Sequence, residues 1–216
     1  MCKQPLIILT GPTAVGKTSL SIKLAKKIGA QIISADSMQV YRHMDIGTAK
    51  ITSSEMQGVK HYLIDEIEPT EEFNVTIFKE KALKAIEQIR NDGYIPMIVG
   101  GTGFYIQALL YDIEFQDNDA DTSYRQELYQ LEKEKGAMYL YEMLKNVDPK
   151  SAESIHYRNV KRVVRALEYY KQTGNRISEH NEEQRKKDSP YNYKYFVLND
   201  IRDNLYERIN KRVDIM

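Results

Sequence analysis

The stretch that decides the fold is Gly11-Pro12-Thr13-Ala14-Val15-Gly16-Lys17-Thr18. Its pattern, G-x-x-x-x-G-K-[ST], is that of a phosphate-binding loop. Gly11 and Gly16 allow backbone angles at which successive N–H groups point at one anion. Lys17 supplies a full positive charge, and the hydroxyl of Thr18 is a ligand for Mg²⁺. We therefore predict that these eight residues hold the phosphates of a substrate.

The sequence on either side of the loop fits a strand–loop–helix unit. Residues 5–10 form a short apolar run typical of a buried parallel strand, and residues 19–28 carry apolar side chains at helical spacing. Gly29 is then predicted to end the helix. The motif leaves open which phosphates bind, because a nucleoside triphosphate and a diphosphate ester present similar oxygens.

Alternation of strands and helices continues along the chain. Apolar runs predict strands over 31–35, 59–65, 95–99 and 194–199, and an amphipathic pattern predicts a helix over 74–91. This order is typical of an α/β fold, here a parallel sheet flanked by helices like that of P-loop NTPases.

Two further segments follow predicted strands, where ligands bind in open α/β sheets. Asp36 begins the first of them, and its carboxylate is a candidate general base; an N-cap or a magnesium-side carboxylate is the alternative. The second is the turn Gly100-Gly101-Thr102-Gly103, in which Thr102 either contacts substrate or simply completes a tight turn. His61 has no second His or Cys at ligand spacing, so we predict a structural histidine and no zinc site.

Composition changes after Asp112 and predicts three parts: an α/β core over 1–112, a helical insertion over 113–187, and a return to the core over 188–216. Seven acidic residues and two basic ones occupy 114–134, whereas nine Lys or Arg against four Asp or Glu occupy 158–187. Helices are predicted over 123–146, with a break near Gly136, and a new one begins at Pro149.

Clustered basic residues lie on two of the predicted helices. Lys161, Arg162 and Arg165 fall within about one helical turn, and form either a solvated face or a phosphate-binding cluster. In the last helix, Arg208 and Arg212 share a face. An arginine there can neutralise a leaving phosphate, or be an ordinary surface charge.

The whole chain has 216 residues and a formal net charge of zero, which argues against a wholly basic nucleic-acid-binding coat. Cys2, the single cysteine, cannot form an internal disulfide, which suits a reducing cytosol. The N-terminal apolar run is too short for a signal peptide, and no run approaches the ~18 residues of a membrane span. We therefore expect a cytoplasmic protein without a membrane partner, and a monomer.

Taken together, the motifs resemble the tRNA dimethylallyltransferase (tRNA isopentenyltransferase) family. The phosphate loop alone is unspecific, but the other segments occur in register with it over the whole chain. They are ADSMQVY at 35–41, GTAK at 47–50, VGGTGFY at 99–105, NVKRVVRALEYYKQTG at 159–174 and RDNLYERINKRV at 202–213.

The resemblance implies a prenyltransferase that moves a dimethylallyl group from dimethylallyl diphosphate to the exocyclic amine of the adenosine 3′-adjacent to the anticodon of a tRNA. The loop would hold diphosphate rather than ATP, with Mg²⁺ as cofactor on Thr18. Asp36 would accept the amine proton, and Lys17, Thr18 and Arg208 would act on the diphosphate. The implied tRNA contacts are Asp36, Ser37, Met38, Gln39, Thr102, Lys161, Arg162, Val163, Val164, Arg165 and, in the less distinctive segment SYRQEL, Arg125.

The resemblance also implies that a C-terminal helical part of the family is missing after Met216. Three other functions stay open at this stage. A small-molecule or nucleotide kinase would use the loop for ATP and Asp36 to deprotonate a hydroxyl. An adenylate isopentenyltransferase would act on a free nucleotide, which the basic segment over 158–187 disfavours. A non-catalytic RNA-binding module leaves Asp36 beside a phosphate loop unexplained.

Overall fold

The computed structural model describes residues 3–113 and 123–215 of the chain. Cys2 and residues 114–122 of the acidic stretch lie outside them, so the expectations that rest on those positions are not addressed by the structure. Two compact units make up the chain. One comprises Met1–Ile113 with Ser189–Met216, and the other comprises Glu114–Asp188. We call them the phosphate-loop unit and the helical unit.

The phosphate-loop unit is built on a five-stranded sheet. Its strands are β1 (Gln4–Thr10), β2 (Ala30–Ser34), β3 (His61–Tyr62), β4 (Ile95–Gly100) and β5 (Tyr191–Val197). They lie in the order β3-β2-β4-β1-β5, and each neighbouring pair is parallel. The carboxyl ends of all five therefore meet at one edge, and β4 separates the strands that lead into the phosphate loop and into Asp36.

Helices cover both faces of this sheet because successive strand residues point to opposite sides. The helices of this unit are α1 (Lys17–Ile28), α2 (Ser53–Met56), α3 (Val75–Asn91), α4 (Gly103–Leu110) and α10 (Arg202–Ile215). On one face Ile32 and Met97 pack with Ile22 of α1. On the other, Ile33 and Ile98 belong to the cluster that holds α3 and α4.

These observations confirm the predicted α/β fold with a parallel, P-loop-type sheet. Gly29 ends α1 with a left-handed φ of 66°, as its position after the helix predicts. The strand predicted over 59–65 is wrong in length, since only His61 and Tyr62 pair with β2. Leu63 and Asp65 have positive φ angles of 61° and 55°, so the backbone leaves the sheet in a turn. Alternating apolar residues do not reveal such a turn.

At two positions another stretch of backbone lies so close that only glycine fits. A Cβ on Gly11 would lie 2.4 Å from the carbonyl oxygen of Leu198, directly after β5, and φ there is 150°. A Cβ on Gly100 would lie 2.2 Å from the carbonyl oxygen of Ala35. Any larger residue at Gly100 would push apart the ends of β4 and β2, and Asp36 with them.

The helical unit has its own core. Its helices are α5 (Ser123–Lys135), α6 (Ala137–Val147), α7 (Pro149–Ser154), α8 (Val160–Thr173) and α9 (Ile177–Lys186). Leu128, Leu140 and Leu144 pack against the apolar stripe of α8. Gly136 separates α5 from α6 and Pro149 begins α7, as the sequence predicts. None of the helices in the described parts of the chain is both long and apolar enough to cross a membrane.

Candidate active site

A pocket opens in the phosphate-loop unit at the carboxyl ends of β2 and β4. Its polar side is lined by Lys17 and Thr18 from the start of α1 and by Asp36 and Gln39 from the segment after β2. An apolar part of the lining is formed by Ile32, Ile51, Ile64 and Val99, and His61, Ser21, Ser34 and Gly100 complete it. The pocket thus combines cationic and carboxylate groups with an apolar wall, which suits a ligand that is part anion and part hydrocarbon.

The phosphate loop has the geometry that its sequence predicts. Gly16 is the N-cap of α1, with φ 95°, and no side chain caps the helix there. Ala14 is also left-handed, at φ 63°. The amide groups at the start of α1 are therefore available to an anion, and the helix dipole adds partial positive charge.

Lys17 folds back over the loop. Its Nζ donates hydrogen bonds to the carbonyl oxygens of Gly11, at 2.8 Å, and Pro12, at 2.7 Å. Burial is the largest cause that lowers the pKa of Lys17, and the charge of Arg212 lowers it further, whereas the charge of Asp36 opposes the shift. Lys17, Asp36 and Arg212 are therefore close enough to act on one another.

Asp36 is held by the backbone that follows it. Its Oδ1 accepts hydrogen bonds from the amides of Met38, at 2.9 Å, and Gln39, at 3.3 Å. This is the N-cap-like geometry left open as an alternative, and it leaves the pocket-lining role intact because a carboxylate has further lone pairs. Ser37, Met38 and Gln39 follow at the same edge of the sheet, and Met38 is exposed.

The glycine-rich turn after β4 is tied to the segment that carries Asp36. The amide of Thr102 donates to the carbonyl oxygen of Ala35, at 3.2 Å. The amide of Ala35 in turn donates to the carbonyl oxygen of Val99, at 2.8 Å. Thr102 is therefore hydrogen-bonded to Ala35, the residue that directly precedes Asp36. Burial, and then the charges of Tyr41 and Asp36, raise the pKa of Tyr105, so this phenol also lies near the carboxylate.

The two arginines on one face of α10 have different partners. Arg208, the residue predicted to act on the diphosphate, forms an ion pair with Asp200 at 2.9 Å. Arg212 donates from Nη2 to the carbonyl oxygens of Thr48, at 3.3 Å, and Ala49, at 3.5 Å. The role of Arg208 stays a prediction. Arg212 is the arginine whose charge lowers the pKa of Lys17. Helical spacing alone could not separate the two, because they lie one turn apart.

The predicted tRNA contacts in the helical unit fall into two groups. Lys161, Arg162 and Arg165 are exposed on α8, whereas the side chains of Val163 and Val164 are buried in the unit's core. Only the charged members of that stretch therefore present side chains to a ligand. Arg125 donates to both oxygens of Glu168, at 2.9 and 3.1 Å, and Arg165 approaches the same carboxylate at 3.5 Å.

The donor chemistry of the pocket fits Mg²⁺. The Thr18 hydroxyl and the Asp36 carboxylate line the same space, and Mg²⁺ takes oxygen ligands, commonly one or two from protein together with phosphate oxygens and water. In the described parts of the chain, no group of three or more His, Cys, Asp or Glu residues forms a metal cluster. A magnesium site here would need a phosphate ligand to complete it.

The chain is similar to known proteins over nearly its whole length. The family model described as "IPP transferase" matches residues 39–216. A tRNA dimethylallyltransferase of Lachnoclostridium phytofermentans is 64% identical over 213 residues, covering 99% of this chain and 68% of the relative. This chain belongs to the tRNA dimethylallyltransferase family. An Acetivibrio thermocellus member is 52% identical over 211 residues, covering 98% of this chain and 67% of the relative.

Solved structures give the same family. A tRNA isopentenylpyrophosphate transferase from Bacillus halodurans has a TM-score of 0.66 at 46% identity, over 99% of this chain and 66% of that one. A eukaryotic dimethylallyltransferase that acts on tRNA has a TM-score of 0.82 at 32% identity, over 98% and 52%. The predicted family and enzyme class, a tRNA-modifying prenyltransferase, are confirmed. The chain spans about two thirds of the length of the curated relatives that it matches.

Proposed function

We propose that the protein transfers the dimethylallyl group of dimethylallyl diphosphate to the exocyclic amine of an adenosine 3′-adjacent to the anticodon of tRNA, and releases diphosphate. The observation that supports this most directly is the pocket whose lining combines Lys17 and Thr18 of a phosphate loop with Asp36 and with apolar side chains. A diphosphate ester of a short hydrocarbon has both kinds of surface.

In this reaction the C1–O bond of the donor breaks, and its electron pair leaves on the diphosphate. The allylic carbon gains positive charge and forms a bond with the amine nitrogen. The barrier falls when the developing negative charge on diphosphate meets fixed positive charge. Lys17, the amides at the start of α1 and Arg212 provide that charge, and bound Mg²⁺ on Thr18 would add to it.

Asp36 is the proposed base. An adenine amine is a weak nucleophile, so it benefits from a carboxylate that takes its proton as the new bond forms. The amides of Met38 and Gln39 fix one oxygen of Asp36. Orientation of the base is therefore set before substrate arrives, which lowers the cost of reaching the reactive geometry. Ser37 to Gln39 and Thr102, close to Asp36, are proposed contacts of the target nucleotide.

The helical unit supplies the proposed tRNA contacts. Lys161, Arg162 and Arg165 offer exposed positive charge on α8, and Arg125 is oriented by the buried carboxylate of Glu168. Contacts to phosphates give affinity that depends on salt rather than on sequence. Since tRNA is the substrate, we place the enzyme in the cytoplasm. We further propose that it acts as a monomer.

The test uses full-length enzyme, radiolabelled dimethylallyl diphosphate, and unmodified tRNA with adenosine beside the anticodon. We expect label in tRNA, and a fall of about 10²–10⁴ in kcat for Asp36→Asn, which keeps an oxygen for the Met38 amide but removes the base. Inorganic diphosphate should still bind to this variant in the absence of Mg²⁺, which would show that the phosphate loop remains folded.

Two other results would change the assignment. Incorporation at the normal rate in Asp36→Asn would keep the reaction and move the base to another group. Phosphate transfer from labelled ATP to a small acceptor, without any label in tRNA, would replace the transferase by the kinase alternative.

A further inference from the structure

Lys50 is a buried lysine that the proposed chemistry does not use. It belongs to the GTAK segment over 47–50, and its side chain is 4% exposed. Burying an ammonium group is costly unless hydrogen bonds and opposite charge compensate it. A buried lysine therefore needs partners that accept hydrogen bonds from its ammonium group and balance its charge.

That partner set joins three separate segments. Nζ of Lys50 donates to the carbonyl oxygen of Tyr41, at 2.7 Å, and to carboxylate oxygens of Asp45, at 2.7 Å, and Asp65, at 2.5 Å. Tyr41 ends the segment that begins at Asp36, and Asp65 lies in the turn after β3. Burial lowers the pKa of Lys50, but the hydrogen bonds and charges of Asp45 and Asp65 outweigh it and raise the pKa overall. All three acceptors therefore meet a charged ammonium.

The turn held by Lys50 is tight. The amide of Lys50 itself donates to Asp45, at 3.0 Å, and the amide of Ala49 donates to Ile46, at 2.8 Å, in both cases to the carbonyl oxygen. Ala49 has a positive φ of 43°, a conformation that an alanine adopts only when its surroundings require it.

This turn presents two neighbouring carbonyl oxygens to the active site. Those of Thr48 and Ala49 accept from Nε2 of Gln39, at 3.2 and 3.4 Å, and also from Nη2 of Arg212. Gln39 lines the pocket. Two polar side chains from distant parts of the chain are thus oriented by the same pair of backbone oxygens.

We propose that Lys50 is a positioning residue for the diphosphate site, which fixes the turn whose Thr48 and Ala49 carbonyls orient Gln39 and Arg212. The proposal rests on the proposed function, in which diphosphate binds beside Lys17. Loss of the ammonium would leave Asp45 and Asp65 unpaired and free the turn. Arg212 would then no longer be aimed at the phosphates, although its charge would remain.

The experiment measures binding of inorganic diphosphate to the full-length chain by calorimetry, for wild type, Lys50→Met and Lys79→Met. Lys79 is a matched control: it is also largely buried, at 15% exposed, and it pairs with Asp112 and donates to the carbonyl oxygen of Ile113, outside the pocket lining. We expect Kd for diphosphate to rise about tenfold or more in Lys50→Met, by loss of one oriented charge-assisted contact, and less than about twofold in Lys79→Met.

Enzyme kinetics separate positioning from stability. In Lys50→Met, KM for dimethylallyl diphosphate should rise by a larger factor than KM for tRNA, because Arg212 acts on the diphosphate whereas Gln39 is only one of several proposed nucleotide contacts. Should Lys50→Met fail to fold, Asp65→Asn and Asp45→Asn take its place, since both carboxylates are more than half exposed. Each should weaken diphosphate binding by a smaller factor in the same direction.

Three outcomes overturn the proposal: unchanged diphosphate binding in a folded Lys50→Met or in both aspartate variants, equal losses in Lys50→Met and Lys79→Met, or parallel rises in both KM values. Failure of wild type to bind diphosphate is a different result, because it would refute the diphosphate site of the proposed function rather than the role of Lys50.

Discussion

The two units of this protein hold the cations of their candidate binding sites in different ways. In the phosphate-loop unit, Lys17 and Arg212 donate to backbone carbonyls, and neither has an ion pair within residues 3–113 and 123–215. In the helical unit, Arg125 and Arg165 share the carboxylate of buried Glu168. A carbonyl orients a cation without cancelling its charge, whereas a carboxylate does both.

The difference indicates which kind of ligand suits each unit. Burial is the largest cause of the lowered pKa of Lys17, and the nearby charge of Arg212 lowers it further, so an anion that pairs with both cations would be favourable. The first unit is thus suited to a compact, multiply charged ligand such as diphosphate. In the second unit Arg125 and Arg165 share one carboxylate while Lys161 and Arg162 are exposed on α8, which suits weaker contacts spread over a nucleic-acid backbone.

The largest loss of activity is expected from substitution of Arg212, and a much smaller one from substitution of Arg208. Arg212→Gln should lower kcat/KM for dimethylallyl diphosphate by about 10²–10³, because it removes a preorganised charge from the leaving group. Arg208→Gln, whose partner is Asp200, should cost less than about tenfold. Steady-state kinetics of the two variants make the measurement. A larger loss for Arg208→Gln would contradict this expectation and support the role that the family resemblance implies for Arg208.

A smaller effect is expected from removing the carboxylate of the helical unit. Glu168→Gln should lower the free energy of unfolding by about 2 kcal/mol, since it weakens the charge-assisted hydrogen bonds from Arg125 and Arg165, both of which are partly exposed. Urea denaturation measures this change. Affinity for tRNA should fall as Arg125 loses its orientation, while diphosphate binding stays constant. Weaker diphosphate binding would show that the two cation sets are not independent.

Acid provides a test that involves the helical unit alone. Both oxygens of buried Asp148 accept hydrogen bonds, from the amides and hydroxyls of Ser151 and Ser178. Burial raises the pKa of Asp148, but these bonds outweigh it and lower the pKa below its ordinary value of 3.8. Its stabilisation is complete above the unfolded-state value and is lost as pH falls through the folded-state value.

Wild type should accordingly lose stability on acidification below about pH 4 more steeply than Asp148→Asn, in which this position does not titrate. Thermal unfolding between pH 3 and pH 7 would compare the two proteins. Parallel curves would mean that the hydrogen bonds to Ser151 and Ser178 do not favour the charged form.

The smallest effects are expected on the surface of α8. Lys161→Met and Arg162→Met should each reduce the slope of log K for tRNA against log salt by about one, with kcat nearly unchanged. Lys145→Met on α6 is the control, because that lysine is exposed and pairs with Glu142 in the same unit. Fluorescence anisotropy over a salt series gives the slopes, and an equal change in Lys145→Met would make the α8 cluster ordinary surface charge.

Local sequence patterns predicted much of this molecule. Backbone preferences and apolar periodicity, which are properties of neighbouring residues, predicted the phosphate loop and the parallel sheet. They also predicted that α1 ends at Gly29 and that α7 begins at Pro149. The same reasoning placed Asp36 at a strand end. Periodicity overextended the third strand, because the positive φ angles of Leu63 and Asp65 depend on a turn closed by the side chain of Glu66.

The sequence alone was therefore enough to predict the fold class, the family and the position of the phosphate-loop motif. Only the folded structure reveals that the charge of Arg212 acts on Lys17, which residues around Lys161 face solvent, and that Lys50 joins three segments. The physical reason is distance along the chain. Arg212 and Ala49 are 163 residues apart, so only the packing of α10 against the turn determines that they meet.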